Sequence, residues 1–486
     1  MRHPVRHITA LAFVAAFASV CWAQEKVPQP PRPPNILLIA VDTVRADRLG
    51  CYGYKKTTSP NIDRLASEGV VFDECVSVAS WTLSAFVSVM TGHLPASHGC
   101  KGTESALSPQ MPTLPQRLKK HGYYCAAVVS NPFLNAKFGL GRGFDKYDDY
   151  TVFLDAELAL LGSGSPGEPK EVAELVTGAT VTRQAKMLLA SARKSGKPFF
   201  LFVHYFDPHD SYIPPSPYNR QFDDPYSGPV DGRQVPSYRR NPPAGRDLEH
   251  LNALYDGEIA YDDAQVGQLV KAIDESSDPA GTLIIFLSDH GEAFAEHGML
   301  LHGNSAYREE VWVPMIWRWK GVLPAGTRVK SPVAITDVAA TLGKLLGFDE
   351  FQTIHSQSLW PGLLGGQLPA QREILSDKCL GGSGYHLAVT RGKLRLHARF
   401  DRTLGGADTK YELYDVSRDP WEKNDLAGSN PSELESIKAA LTRIWSECLD
   451  LRKQYNVDAP ANRVILSDKE RRRLQGLGYT DSPAGK

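Results

Sequence analysis

At 486 residues the chain is long enough for one large domain and a smaller one, and its 42% hydrophobic and 22% charged residues are those of an ordinary globular protein. A formal net charge of -1 gives no global attraction for nucleic acid or an anionic membrane, so an anion must be bound by a local site.

The chain opens on a short basic stretch, Met1 to His7, followed by apolar and small residues from Ile8 to Ala23. That stretch is short for a membrane span and ends Cys21-Trp22-Ala23, which predicts a signal peptide over 1–23. A Pro-rich linker over 24–34 follows. No later stretch is apolar enough to span a bilayer, so we expect an exported protein, periplasmic or secreted, with no integral membrane domain in the mature chain. Six cysteines remain after Cys21; their even number permits disulfides, and none sits in a CxxC pair.

Asn35 to Val41 (NILLIAV), Phe199 to His204 (FFLFVH) and Leu283 to Ser288 (LIIFLS) are apolar runs without alternation. Such runs suit strands buried on both faces of a parallel sheet. Helical patterns fall between them, at Ser59 to Glu68, Leu114 to His121, Thr180 to Ala192 and Leu251 to Ile273. The alternation predicts an α/β sandwich with a central, mostly parallel sheet between helices, spanning 35–370. Ligands of such sheets bind beyond the carboxyl ends of the strands, where Asp42, His204, Asp207, His209, Asp289 and His290 fall. Segments 162–170 and 213–246 read as surface insertions, the second shaping the pocket. Strands at His386 to Phe400 and Tyr411 to Val416, with a helix at Ser432 to Leu451, predict an α+β subdomain over 371–455 and a tail over 456–486.

Chemistry concentrates after the third run. In Ser288-Asp289-His290-Gly291-Glu292, Asp and His adjoin at a strand-to-loop turn and can face one cation, and His297 and His302 add two imidazoles downstream. A cluster that dense is hard to explain as packing, since each buried imidazole needs a polar partner. Asp42 ends the first strand. Within ASWTLSAFVSVMTG, Thr82 falls at the start of a predicted helix, where free N–H groups favour an anion. Taken alone Thr82 is a helix-start residue, and Asp42 a strand-end carboxylate capping a loop.

In combination these segments resemble the sulfatase family of the alkaline phosphatase superfamily. VDTVRADRLGCYGYKKTTSPNIDRLASEGVVFDE resembles its opening, MTGHLPASHG the end of its active-site helix, and SDHGEAFAEHGMLLHGNSAYREEVWVPMIW its second metal segment. TDVAATLGKLLG, LYDVSRDPWEKNDLA and LQGLGY are similar to later landmarks. The resemblance implies an alkaline-phosphatase-like fold and a divalent metal. Family members carry Cys-x-Pro-Ser-Arg, whose Cys or Ser becomes formylglycine, where this chain has Thr82, Leu83, Ser84, Ala85 and Phe86. The family's Gly-Lys-Trp-His segment falls near Val129 to Pro132, without its lysine and histidine.

Threonine nucleophiles occur in the nucleotide pyrophosphatases/phosphodiesterases, phosphoethanolamine transferases and lipoteichoic acid synthases of the same superfamily. The phosphoethanolamine transferases also share the separation between Asp289 and His302. Likeness to them implies that Asp42, Thr82, Asp289 and His290 bind the ion. His209 and His302 would contact the transferring group or the leaving oxygen, or help hold a second cation. His290 beside Asp289 favours zinc or manganese, with calcium the further choice. Arg45 reads as a salt-bridge residue near the sheet end that could also meet an anion, Asp207 as either a ligand or a residue that orients one, and His204 as a buried strand residue. The expected activity is hydrolysis of phosphodiester, phosphonate or phosphate esters of a small molecule or glycan through Thr82. The alternatives are a sulfatase that does not use formylglycine, and a non-catalytic relative that binds an anion or glycan.

Overall fold

A computed structural model describes residues 32–150, 178–276, 281–348, 351, 353–379, 384–468, 470, 471 and 474. The expected signal peptide, most of the linker, the 162–170 insertion and nearly all of LQGLGY lie outside them. No helix among the described residues is long and apolar enough to cross a membrane.

Eight strands form the central sheet: β1 (Asn35–Val41), β2 (Val70–Phe72), β3 (Tyr124–Val128), β4 (Lys146–Asp148), β5 (Phe199–Tyr205), β6 (Thr282–Leu287), β7 (Met315–Arg318) and β8 (Thr327–Val329). Their spatial order is β8-β2-β7-β6-β1-β5-β3-β4. The run β6-β1-β5-β3-β4 is parallel throughout, whereas β7 runs antiparallel to both its neighbours. The sheet is therefore mixed and mostly parallel, as the three apolar runs predict.

Strand β1 is buried along its whole length because both faces are covered. Ile36, Leu38 and Ala40 face one core, while Leu37, Ile39 and Val41 face the other, which is the two-residue period of a strand. Helices α1 (Pro60–Ser67), α2 (Thr82–Thr91), α3 (Leu114–Lys120), α4 (Gly178–Lys194), α5 (Arg246–Asp274) and α6 (Asp337–Leu346) flank the sheet. The first core holds Leu83 and Phe86 of α2 and Leu342 of α6; the second holds Leu65 of α1, Leu189 of α4 and Ile259 of α5. At ~25 cal/mol per Å² of apolar surface, each fully buried Leu or Phe contributes about 1.5–3 kcal/mol, which makes the sheet the rigid base of the molecule.

Strands β9 (Glu373–Asp377), β10 (Tyr385–Arg391), β11 (Leu394–Phe400) and β12 (Lys410–Asp415) form an antiparallel sheet in that order. Helix α7 (Pro431–Gln454) turns Ile437, Leu441 and Ile444 onto it. These residues belong to the same core as α2, so the C-terminal sheet is continuous in packing with the body. A bridge from Ala79 to Asp377 places β9 beside the loop that leads into α2. The six cysteines downstream of Cys21 are all free thiols, so the permitted disulfides do not form.

Candidate active site

The carboxyl ends of β1, β5 and β6 converge on the start of α2. Thr82 is the first residue of that ten-residue helix, every residue of which is buried. Trp81 occupies the N-cap with extended backbone and gives no side-chain cap, so the polar group offered at this helix start is the Thr82 hydroxyl. Thr82 Oγ1 lies 3.2 Å from His290 Nε2 and accepts from Asn131 Nδ2 at 3.3 Å.

Asp42 follows the last residue of β1, and Asp289 and His290 follow β6. Tyr205 and Asp289 tie the turn after β1 to its neighbours: Asp42 N donates to Tyr205 O at 2.9 Å and Thr43 N to Asp289 Oδ1 at 3.2 Å. Thr43 takes a φ of 56°, a strained value for a β-branched residue, at the point where the chain leaves the strand. Gly291 is required sterically, because a Cβ there would lie 2.2 Å from the Glu309 carbonyl oxygen.

Asp42, Asp289 and His290 bring one donor atom each within 4.8 Å of one another. His290 Nδ1 faces the Gly291 carbonyl at 3.0 Å, which places the ring proton there and leaves the Nε2 lone pair facing the two carboxylates. Nε2 is 3.3 Å from Asp289 Oδ2 and 3.7 Å from Asp42 Oδ1. Both of those carboxylate oxygens are buried without a hydrogen-bond partner. Two uncompensated carboxylate oxygens and an imidazole lone pair aimed at one point fit a divalent cation.

The charge balance shows the strain of that arrangement. Burial and the charge of Asp42 push the Asp289 carboxyl up to about 6. Burial also raises Asp42, but the His204 hydrogen bond and the nearby His209 and His290 overcome it and hold the group at about 2. His204, the buried strand residue of the sequence reading, has a definite partner in Asp42 Oδ2, 3.4 Å from its Nε2.

His209 and His302 complete the cluster. The His302 ring packs 4.4 Å from His290 and 4.8 Å from His209, centroid to centroid. Burial opposes a charge on His209, yet the Asp210 carboxylate at 2.9 Å from Nδ1, with Asp42 behind it, pushes its pKa to about 10. Burial and the neighbouring His290 and His209 push His302 well below the usual imidazole value. An imidazolium and a neutral imidazole therefore stand side by side.

His297 and Asn131 fall out differently from the sequence reading, whereas Arg45 is the salt-bridge residue it predicts. His297 is not in the cluster: its Nδ1 is 2.6 Å from Glu309 Oε1, and its ring stacks on Tyr307 at 3.6 Å. Arg45 is an ion-pair residue, held by Asp47 at 2.9 Å and Glu296 at 2.5 Å. Asn131, which the sequence reading missed, donates to Asp42 Oδ2 at 2.7 Å as well as to Thr82, and its own Oδ1 accepts from Phe133 N at 2.9 Å. The one signal for it was its place in the segment where the family has lysine and histidine. Part of the 213–246 insertion does reach the site, since Arg239 O accepts from Leu300 N and its guanidinium donates to Asn304, on either side of His302.

A mostly parallel sheet sandwiched by helices, with a carboxylate and imidazole cluster able to hold a metal and a hydroxyl at a helix start, fits an ester hydrolase of alkaline-phosphatase-like fold. The sulfatase family model matches residues 34–348, and the chain belongs to that family, whose enzymes use a divalent metal. It is 28% identical to human iduronate 2-sulfatase over 418 residues, covering 75% of this chain and 74% of that protein. The phosphonate monoester hydrolase of Agrobacterium radiobacter superposes with a TM-score of 0.65 at 22% identity, over 87% of this chain and 96% of the other. A protein solved with its substrate D-glucosamine-2-N,6-O-disulfate gives 0.63 at 19% identity, over 88% and 99% of the two chains.

Proposed function

We propose that this hydrolase cleaves phosphodiester, phosphonate or phosphate esters of a small molecule or glycan, with Thr82 as nucleophile and zinc or manganese as the metal. The observation that carries the reading is the placement of Thr82 Oγ1, 3.2 Å from His290 Nε2 beside the unpartnered oxygens of Asp42 and Asp289. Asp42, Asp289 and His290, with Thr82 beside them, would hold a divalent ion, which when bound would supply positive charge for an anionic ester and acidify the threonine hydroxyl.

Thr82, ionised with its proton given up to solvent, attacks phosphorus through Oγ in line with the ester oxygen, the bond to the leaving alcohol breaks, and the second step returns the same threonine oxyanion. His209, charged beside Asp210, donates its proton to that oxygen. The free N–H groups at the start of α2 stabilise the charge on the transferring group. Water then attacks the phospho-threonine, His302 accepts its proton, and Thr82 is released. Threonine has no second hydroxyl with which to expel the adduct as an aldehyde hydrate does, so the second step must occur at phosphorus.

Among the described residues no lysine or arginine forms an ion pair with Asp42, Asp289 or His290, and Phe86 stands where the family has its helix arginine. Few fixed cations favour a singly charged ester over a doubly charged phosphate monoester. This supports diesters and phosphonate monoesters ahead of phosphate monoesters. Sulfate esters are also singly charged, and likeness to iduronate 2-sulfatase supports them as the second reading, again without formylglycine. Targeting of the chain for export remains part of the proposal.

The test is turnover of aryl phosphate, bis-aryl phosphate, aryl phosphonate and aryl sulfate after metal stripping and return of zinc, manganese or calcium. Metal-dependent cleavage of the phosphorus esters that is lost in Thr82→Ala is the expected result. Cleavage of the sulfate ester alone moves the assignment to the second reading. Tight metal binding without turnover of any ester points instead to a non-catalytic anion- or glycan-binding protein.

A further inference from the structure

Glu292 stands two residues beyond His290 and is fully buried. Its Oε1 lies 3.1 Å from His302 Nδ1. Among the described residues no lysine or arginine forms an ion pair with this carboxyl, although a buried carboxyl without a cation ordinarily destabilises a fold. The backbone around it is fastened from both sides. Gly291 N donates to Glu310 O at 2.8 Å, and the Glu292 carbonyl accepts from Arg45 Nη1 at 3.0 Å. Arg45 is itself locked by Asp47 and Glu296, so the carboxyl is presented from a rigid turn.

His302, by contrast, sits on a short hairpin, immediately after Leu301, whose φ is 68°. Its ring packs edge-on against His209 and tilted against His290, and ring packing of this kind does not by itself fix which nitrogen carries the proton. A hydrogen bond at Nδ1 does. It fixes which nitrogen carries the proton and which way the ring is turned, and it leaves Nε2 on the opposite edge for the reacting groups.

We propose that Glu292 is a positioning residue that acts through His302, pinning its Nδ1 so that Nε2 receives the proton of the attacking water. The inference rests on the proton-transfer role given to His302 above. The Nδ1–H donates to the Glu292 carboxyl, and no bond is made or broken at Glu292 itself. Glutamine at this position retains a hydrogen-bonding oxygen and preserves the ring orientation. Alanine removes it.

The experiment compares Glu292→Gln, Glu292→Ala, His302→Ala and Glu292→Ala/His302→Ala on the best ester, with metal content and thermal melting measured for each. Glu292→Ala should lower kcat by about 10- to 100-fold with KM and metal content unchanged, and Glu292→Gln should recover most of it. The double variant should be no slower than His302→Ala alone, because both changes remove one function. Independent losses that multiply in the double variant, or a Gln variant as slow as Ala, would overturn the proposal. A second readout needs no substrate: 15N spectra of histidine-labelled protein should show a single His302 tautomer in the wild type and an exchanging mixture in Glu292→Ala. A single unchanged tautomer in Glu292→Ala overturns the proposal even if the ester specificity has been misassigned.

Discussion

Two buried polar clusters share the segment from His290 to Arg308, and they close their hydrogen bonds differently. In one, Ala306 N donates to His386 Nδ1, His386 Nε2 meets His397 Nδ1 at 2.8 Å, and His397 Nε2 meets Glu422 Oε1 at 2.8 Å. Arg395 lies 2.9 Å from the same carboxylate oxygen, and Arg308 N donates to the other at 2.7 Å. In the other cluster, Asp42 Oδ1 and Asp289 Oδ2 face each other across His290 with no donor. Both clusters are rich in buried histidine and carboxylate. The first closes its carboxylate with an arginine, an imidazole and a backbone N–H and joins the C-terminal sheet to the body; the second leaves two carboxylate oxygens without a donor, a gap that a cation would fill. Buried polar density thus marks a site only where partners are missing.

The sharpest break of this comparison is at Thr82. Thr82→Ala should reduce turnover by about 10⁴-fold or more, as expected for loss of a nucleophile, with fold and most metal binding retained. A variant with turnover near that of the wild type in steady-state assays would remove Thr82 from the chemistry.

Glu422 tests the other side. Glu422→Ala leaves Arg395 and His397 buried without their shared carboxylate, and should cost about 3–5 kcal/mol in urea unfolding while the folded fraction keeps its kcat. The same contacts set an acid limit. Burial raises the Glu422 carboxyl, but Arg395 and His397 outweigh it and hold the group at about 2, below its ordinary 4.5. A depressed folded value means that the stabilisation is full above pH 4.5 and is lost as pH falls through about 2. The loss is on the order of 3 kcal/mol at about 1.4 kcal/mol per unit, and should vanish from the pH profile of Glu422→Ala.

Metal removal reverses the sign seen at Glu422. At a hundred times its dissociation constant, the ion should add about 2.7 kcal/mol to the stripped wild type. Asp289→Asn relieves one of two opposed carboxylates while its remaining oxygen still accepts from Thr43 N. The stripped variant should melt higher than the stripped wild type by about 1–2 kcal/mol and gain little when metal is returned. Calorimetry with and without a chelator checks both directions. A lower melt for stripped Asp289→Asn would mean that the two carboxylates are not in conflict.

How much of this was legible depended on range. Strands β1, β5 and β6 are unbroken apolar runs, so their burial on both faces and the polar residues at their carboxyl ends could be read directly. Asp289 and His290 adjoin in sequence, and the helix start at Thr82 is a local feature. His297 and His302 are only five residues apart on one hairpin, and spacing cannot say that the tip carries His297 away to Glu309 while the returning strand brings His302 in. The free cysteines are a matter of distance between elements, which counting does not supply. Asn131 is 89 residues from Asp42, in a loop without periodicity, and no local pattern marks it as a donor to the site.

Asn131 carries the smallest and most specific prediction. Its amide donates to both Asp42 Oδ2 and Thr82 Oγ1, while Phe133 N fixes its carbonyl, so the side chain is preset as a two-way donor. The 2.7 Å bond to Asp42 is the stronger, and at 3.3 Å the contact with Thr82 orients the hydroxyl more than it binds it. Removing the amide should therefore leave metal binding within a few-fold and lower kcat by about tenfold, or roughly 1.4 kcal/mol, the range of one hydrogen bond to a charged group. Asn131→Asp should be worse than Asn131→Ala, because it replaces the donor with a third carboxylate against Asp42. If the aspartate variant matched or exceeded the alanine variant in kcat, the donor role would fail. Asn131 would then be a packing residue in the segment where the family has its lysine and histidine.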